Sequence, residues 1–169
     1  ILVDKIFHPH QIERILTFVN PSADSDAYYQ TMKSINAIGS GQLAGKGLYE
    51  GTLNQLSYLP EPQNDFIFAV AGEELGFVGS AVIIILLLFI TIECIFIARK
   101  AKDTAGRLIC CGVGALIGFQ TFVNIGVASG LLPNTGVTLP FVSYGLTSLW
   151  SLYIGIGLVL NVGLQPKKY

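Results

Sequence analysis

Charge is scarce in this sequence. Of its 169 residues only 12% are Asp, Glu, Lys or Arg, while 51% are hydrophobic. Soluble domains carry about 25% charged residues, so a water-exposed globule of this size lacks the charge to cover itself. The same apolar content excludes a disordered chain. A formal net charge of −1 gives no electrostatic footprint for nucleic acid, and no nucleic-acid partner is expected. Cysteine is sparse as well. Cys94, Cys110 and Cys111 all fall in apolar stretches, which reads as buried thiols rather than a disulfide or metal framework. The first residues are not expected to act as a secretory signal: Lys5 and Glu13 interrupt the apolar residues too soon for its hydrophobic core. With Ile1 as the first residue, the chain reads as a segment of a longer one.

The charge that is present is unevenly placed. From Leu108 to Pro166 there is none, the mark of a membrane protein. One helix over that run would be about 88 Å long against a hydrocarbon core of about 30 Å, so it must fold back. The turn formers Pro133-Asn134-Thr135-Gly136 and Pro140 place the reversal. Leu75 to Ile92 is also uncharged, extendable past Glu93 to Ala98. The expected fold class is all-α integral membrane, with transmembrane helices at 66–98, 108–130 and 140–164. A helical loop region at 1–65 precedes them, loops at 99–107 and 131–139 join them, and a tail at 165–169 follows.

Orientation comes from the basic residues. Arg99, Lys100, Lys102 and Arg107 crowd the first connection, and Lys167 and Lys168 the tail, whereas 131–139 has no charge. The positive-inside bias makes the first connection and the C-terminus cytoplasmic. Residues 1–65 then lie outside. The first 76 residues hold nine acids and four bases, in agreement. Within them, Ile12, Ile15, Leu16 and Val19 form an amphipathic stripe. A second helix is expected from about Asp24 to Ile38, capped by Ser22 or Asp24 and stopped by Gly39.

Two stretches bear on chemistry. Gly39-Ser40-Gly41-Gln42-Leu43-Ala44-Gly45-Lys46-Gly47 suggests a phosphate loop, but Ser40 and Gly47 stand where the Walker pattern needs Gly and Ser or Thr. The simpler reading is a loop needing positive φ angles and close backbone approach. In Leu59-Pro60-Glu61-Pro62-Gln63-Asn64-Asp65-Phe66 the prolines end what precedes, and Pro62 suits the start of a new helix. Asp65 then heads a helical face of Ala69, Gly72 and Gly76, which leaves room for another helix or a substrate. An acid so placed is a helix cap or a catalytic carboxylate. In the second span Gln120 and Asn124 share a face, where amides commonly bond between helices. The pairs Gly114/Gly118 and Gly126/Gly130 allow close backbone contact, and Trp150 is expected to pack.

The motifs Ala37-Ile38-Gly39-Ser40-Gly41, Gly45-Lys46-Gly47, Leu59-Pro60-Glu61, Asp65-Phe66-Ile67-Phe68-Ala69-Val70 and Gly72-Glu73-Glu74-Leu75-Gly76 occur in that order. Gly118-Phe119-Gln120-Thr121-Phe122-Val123-Asn124-Ile125-Gly126, Leu131-Leu132-Pro133-Asn134-Thr135-Gly136 and Leu139-Pro140-Phe141-Val142-Ser143-Tyr144-Gly145 follow them. Together they resemble the SEDS family (shape, elongation, division and sporulation; the RodA/FtsW/SpoVE group) over nearly the whole chain. The resemblance implies the C-terminal part of a ten-span peptidoglycan glycosyltransferase of the bacterial plasma membrane. Such an enzyme polymerises lipid II for cell-wall synthesis in elongation, division or sporulation. It implies a class B penicillin-binding protein as transpeptidase partner, beside other elongasome or divisome proteins.

The family's essential acid falls on Asp65, as general base or, alternatively, as a metal contact. Candidate substrate contacts are Lys46, Glu61, Gln120, Asn124 and Ser143, and a divalent cation, Mg²⁺ or Mn²⁺, is the cofactor to consider. Leu146, Ser57 and Asn64 depart from the family pattern, and none of these departures alters Asp65 itself. This segment alone is expected to be inactive. The alternatives are a lipid II flippase, with Gln120 and Asn124 lining its path, and a non-catalytic scaffold of the synthesis complex.

Overall fold

The computed structural model describes residues 26–51 and 65–165, which are helical and connecting segments without strands. Helix α1 is Asp26–Ser40, α2 Ile67–Lys100, α3 Thr104–Ala128 and α4 Leu146–Leu164. The last three are long and apolar enough to cross a membrane. The expected amphipathic stripe at 12–19 and the caps Ser22 and Asp24 lie outside the described residues, as does Glu61.

Sequence explains most of these elements. In α1 the buried positions Ser34 and Ala37 share one face, and the helix runs through Gly39 to Ser40. Ser34 Oγ donates to the Ala128 carbonyl over 2.7 Å, pinning α1 to the end of α3. Asp103 caps α3 by accepting from the Gly106 N–H at 3.2 Å, so that helix starts four residues before the apolar run itself. Only residues 101–103 separate α2 from α3, which forces an antiparallel hairpin. Glycine lets the two rods touch. A Cβ at Gly114 would stand 3.0 Å from Cys94 Cβ, and one at Gly118 3.3 Å from Thr91 Cγ2. Cys94 and Cys110 are buried in this seam with Ala98 and Val159 of α4. Cys111, in contrast to the sequence reading, is exposed.

Helix α2 is not one rod. At Gly76 the backbone takes φ 68° and ψ −164°, which breaks it into a short stub and a long helix. From Phe77 to Lys100 the second piece is about 36 Å long at 1.5 Å per residue, enough for a crossing. The gap is filled by the glycine-rich loop after α1. Phe77 and Val78 N–H donate to the Gln42 and Leu43 carbonyls at 2.8 and 3.2 Å. In return, Lys46 and Gly47 N–H donate to the Glu73 and Glu74 carbonyls at 3.0 and 3.1 Å. Backbone groups released by the break are thereby satisfied by the loop. Such intimacy needs glycine on both sides: a Cβ on Gly41 would collide with the Gly72 carbonyl, and one on Gly76 with the Gly45 amide. The small strip below Asp65 therefore receives α1 and its loop.

The segment after α3 turns back sharply. Leu131 and Leu132 N–H both donate to the Gly126 carbonyl, at 2.8 and 3.1 Å, and Gly130 adopts φ 71°. Helix α4 begins at Leu146, later than the expected 140, because Leu139 to Gly145 forms a turn of its own. Ser143 Oγ accepts from Leu139 N–H at 2.8 Å while Ser143 N–H returns to the Leu139 carbonyl at 3.0 Å. Only Leu152 and Val159 of α4 are buried, and Trp150 is 70% exposed rather than packed.

Candidate functional site

Asp65 stands two residues before the first residue of α2, next to the N-cap Phe66. Phe66 is 2% exposed and packs with Ala37, Ala69, Val123 and Val127, so the start of the stub is anchored in a dry cluster drawn from α1, α2 and α3. Asp65 itself is only half-buried. Its carbonyl accepts from Asn124 Nδ2 at 3.0 Å, and the same nitrogen donates to the Val137 carbonyl at 2.7 Å. The carboxylate reaches toward the loop between α3 and α4, where Oδ2 stands 3.6 Å from the position a Cβ on Gly136 would occupy. Gly136 has φ 70°, and its N–H donates to Asn134 Oδ1 at 3.2 Å, an Asx turn that shapes this wall. An acid at a helix N-terminus is held in a field that favours its ionised form. A partly open carboxylate beside a glycine wall is able to take a proton from a hydroxyl brought against it.

The other candidates fall in different places. Asn124 is 1% exposed, and it joins Asp65 to the loop from below. Gln120, one turn earlier on α3, buries its Oε1 without a hydrogen-bond partner. Ser143 is 4% exposed and holds the turn before α4. Lys46 sits beside the α2 break with Nζ 2.7 Å from Glu73 Oε1. Glu73 is completely buried, so this ammonium is committed to balancing an interior carboxylate. No cluster of three His, Cys, Asp or Glu side chains occurs among the described residues.

Two features escaped the sequence. The burial of Glu73 and its tie to Lys46 across 27 residues were not legible. Nor was the break at Gly76, although the density of glycine in both partners is its signal.

Fold and site together define a polytopic helical membrane protein with an acid at the head of a broken span. The chain belongs to the FtsW/RodA/SpoVE family, described as cell cycle proteins, whose model matches residues 1–168. It is 43% identical over 160 residues to the stage V sporulation protein E of Bacillus subtilis, covering 94% of this chain and 43% of that protein. It is 42% identical over 163 residues to the peptidoglycan glycosyltransferase MrdB of Escherichia coli K12, covering 96% and 44%. Against a probable peptidoglycan glycosyltransferase FtsW of Geobacter sulfurreducens it is 41% identical, covering 91% and 41%. Among solved structures, a chain reported under "Structural coordination of polymerization and crosslinking by a peptidoglycan synthase complex" superposes with a TM-score of 0.75 at 32% identity. That match covers 95% of this chain and 44% of the other. The chain thus spans less than half the length of the relatives it matches.

Proposed function

We propose that this chain is the catalytic-base half of a membrane peptidoglycan glycosyltransferase, with Asp65 taking the proton in strand extension. The relatives' names give the reaction class. The observation that carries the residue assignment is the placement of Asp65, half-open, backbone-anchored, and facing the Gly136 turn. The substrate is lipid II. Its sugars are joined β-1,4, from a donor whose anomeric carbon bears an α-linked diphosphate. One inverting displacement accounts for the change of configuration. The acceptor's 4-hydroxyl attacks the anomeric carbon as its proton passes to the Asp65 carboxylate. The carbon–oxygen bond to the lipid diphosphate breaks, and the diphosphate leaves with the bonding electrons. Basic side chains or a divalent cation, Mg²⁺ or Mn²⁺, stabilise the departing charge. Residues 1–65 and the 131–139 loop face the outer side of the bacterial plasma membrane, with the C-terminus in the cytoplasm. A class B penicillin-binding protein is the partner that cross-links the strands, consistent with the synthase complex of the structural neighbour.

The test is Asp65→Asn in the full-length protein, purified in detergent with its partner and supplied with lipid II. Loss of glycan polymerisation by about a hundredfold or more, with the complex intact, is the expected result. Continued strand growth overturns the base assignment. Polymerisation that survives while lipid II movement into vesicles fails selects the transporter reading, and survival of both selects a scaffold.

A further inference from the structure

We infer that Asn124 is a positioning residue for Asp65 and makes no contact with substrate, an inference that rests on the reading of Asp65 as base. With 1% exposure, Asn124 is out of reach of a sugar. Its amide has two N–H bonds to give, and both are engaged, one by the Asp65 carbonyl and one by the Val137 carbonyl. These acceptors lie 59 and 13 residues away in the chain. One belongs to the segment that enters α2. The other follows Gly136, the residue facing the Asp65 carboxylate. A single side chain thereby sets the distance between the acid's own backbone and the wall across from it.

Its platform is fixed. Val123 and Val127, the neighbours of Asn124 on α3, pack with Phe66 and Ala69 from the stub that Asp65 heads. The chemistry of the position also singles out asparagine. Aspartate is the same shape but would aim a third acceptor at two carbonyls. Alanine leaves both carbonyls without their donor, and glutamine is one methylene too long. Asn124 Oδ1, by contrast, is buried with no hydrogen-bond partner. The position tolerates an unmet acceptor in order to keep two donors, which marks the N–H groups as the reason for the residue.

Full-length protein in complex with its partner, assayed with lipid II, tests this through kcat and KM measured separately. Asn124→Ala is expected to lower kcat about tenfold to a hundredfold, the effect of displacing a reacting group by about 1 Å. KM for lipid II stays within about twofold, because no substrate contact is removed. Asn124→Asp, despite its matching shape, loses at least as much. Asn124→Ser, whose hydroxyl donates once, recovers part of kcat, and it serves as the reading if the alanine variant does not fold. Wild-type kcat in Asn124→Ala or Asn124→Asp overturns the inference. So does a raised KM at unchanged kcat, which would make Asn124 a substrate contact. Asp65→Asn is run in parallel. An active Asp65→Asn protein sinks the base reading, whereas an inactive one beside a fully active Asn124→Ala protein sinks only the positioning role.

Discussion

Lys46 Nζ lies 2.7 Å from Glu73 Oε1, and the pair is lopsided: the Glu73 side chain is 1% exposed and the Lys46 side chain 33%. The loop and the broken helix are thus joined by a charge that has no access to water and one that does.

Unequal consequences follow for the two halves of this pair. Lys46→Ala takes the cation away from a buried carboxylate and is expected to destabilise by about 3–5 kcal/mol. Glu73→Gln leaves an ammonium that can swing to water, and its effect is about 1 kcal/mol. Combining the two changes brings stability back toward that of Glu73→Gln alone. Thermal unfolding of the three proteins in detergent measures the order. Equal losses for the two single changes would show that the interior carboxylate does not depend on its partner.

Gly76→Ala is expected to undo the docking of the loop. A φ of 68° is unfavourable for alanine, and the added Cβ meets the Gly45 amide and the Leu43 carbonyl. Strain of about 1–3 kcal/mol from the dihedral alone adds to the collision. Amide hydrogen exchange should report it locally, with the Phe77 and Val78 amides exchanging faster once the Gln42 and Leu43 carbonyls withdraw. Unchanged protection at those two amides is the adverse result.

Glycines of α3 should divide by face. Gly112 has nothing within 4 Å of its Cβ position, whereas Gly114 faces Cys94 at 3.0 Å. Gly112→Ala is expected to leave stability unchanged or raise it by up to about 1 kcal/mol. Gly114→Leu should push α2 and α3 apart and lower stability by about 1–3 kcal/mol or more. Circular dichroism melts compare them directly, and similar melting of the two variants contradicts the seam.

Ser143 offers a check on the α3–α4 loop. Ser143→Ala removes the acceptor for the buried Leu139 N–H, an expected loss of about 1–3 kcal/mol. Because the hydroxyl faces inward, KM for lipid II should not move. A raised KM in a stable protein would make Ser143 a substrate contact.

Apolar run length and the turn formers at 133–140 made three helices legible, since an uncharged stretch must cross and return within a fixed thickness of hydrocarbon. Asp65 was legible as the acid opening a helix, and Asn124 as an amide bonding between elements. What it bonds was not. Its acceptors are backbone carbonyls brought together by the fold, and a carbonyl has no letter in the sequence. The glycine-rich loop at 39–47 was legible as needing positive φ, which Gly45 and Gly47 take at 79° and 109°. The reading missed that their partner was the helix around Gly76, because an unbroken apolar pattern looks the same whether the rod is whole or cut. Trp150 failed as a packing residue for another reason: its side chain stands outside the contacts that this chain itself supplies.

The interruption at Gly76 also has a mechanical meaning. A continuous rod passes every tilt imposed by bilayer thickness along its whole length. Here the short upper piece is laced to α1's loop and the lower piece starts afresh at Phe77, so the two meet as at a joint. A tilt of the long lower piece need not carry through the backbone to the stub that Asp65 heads.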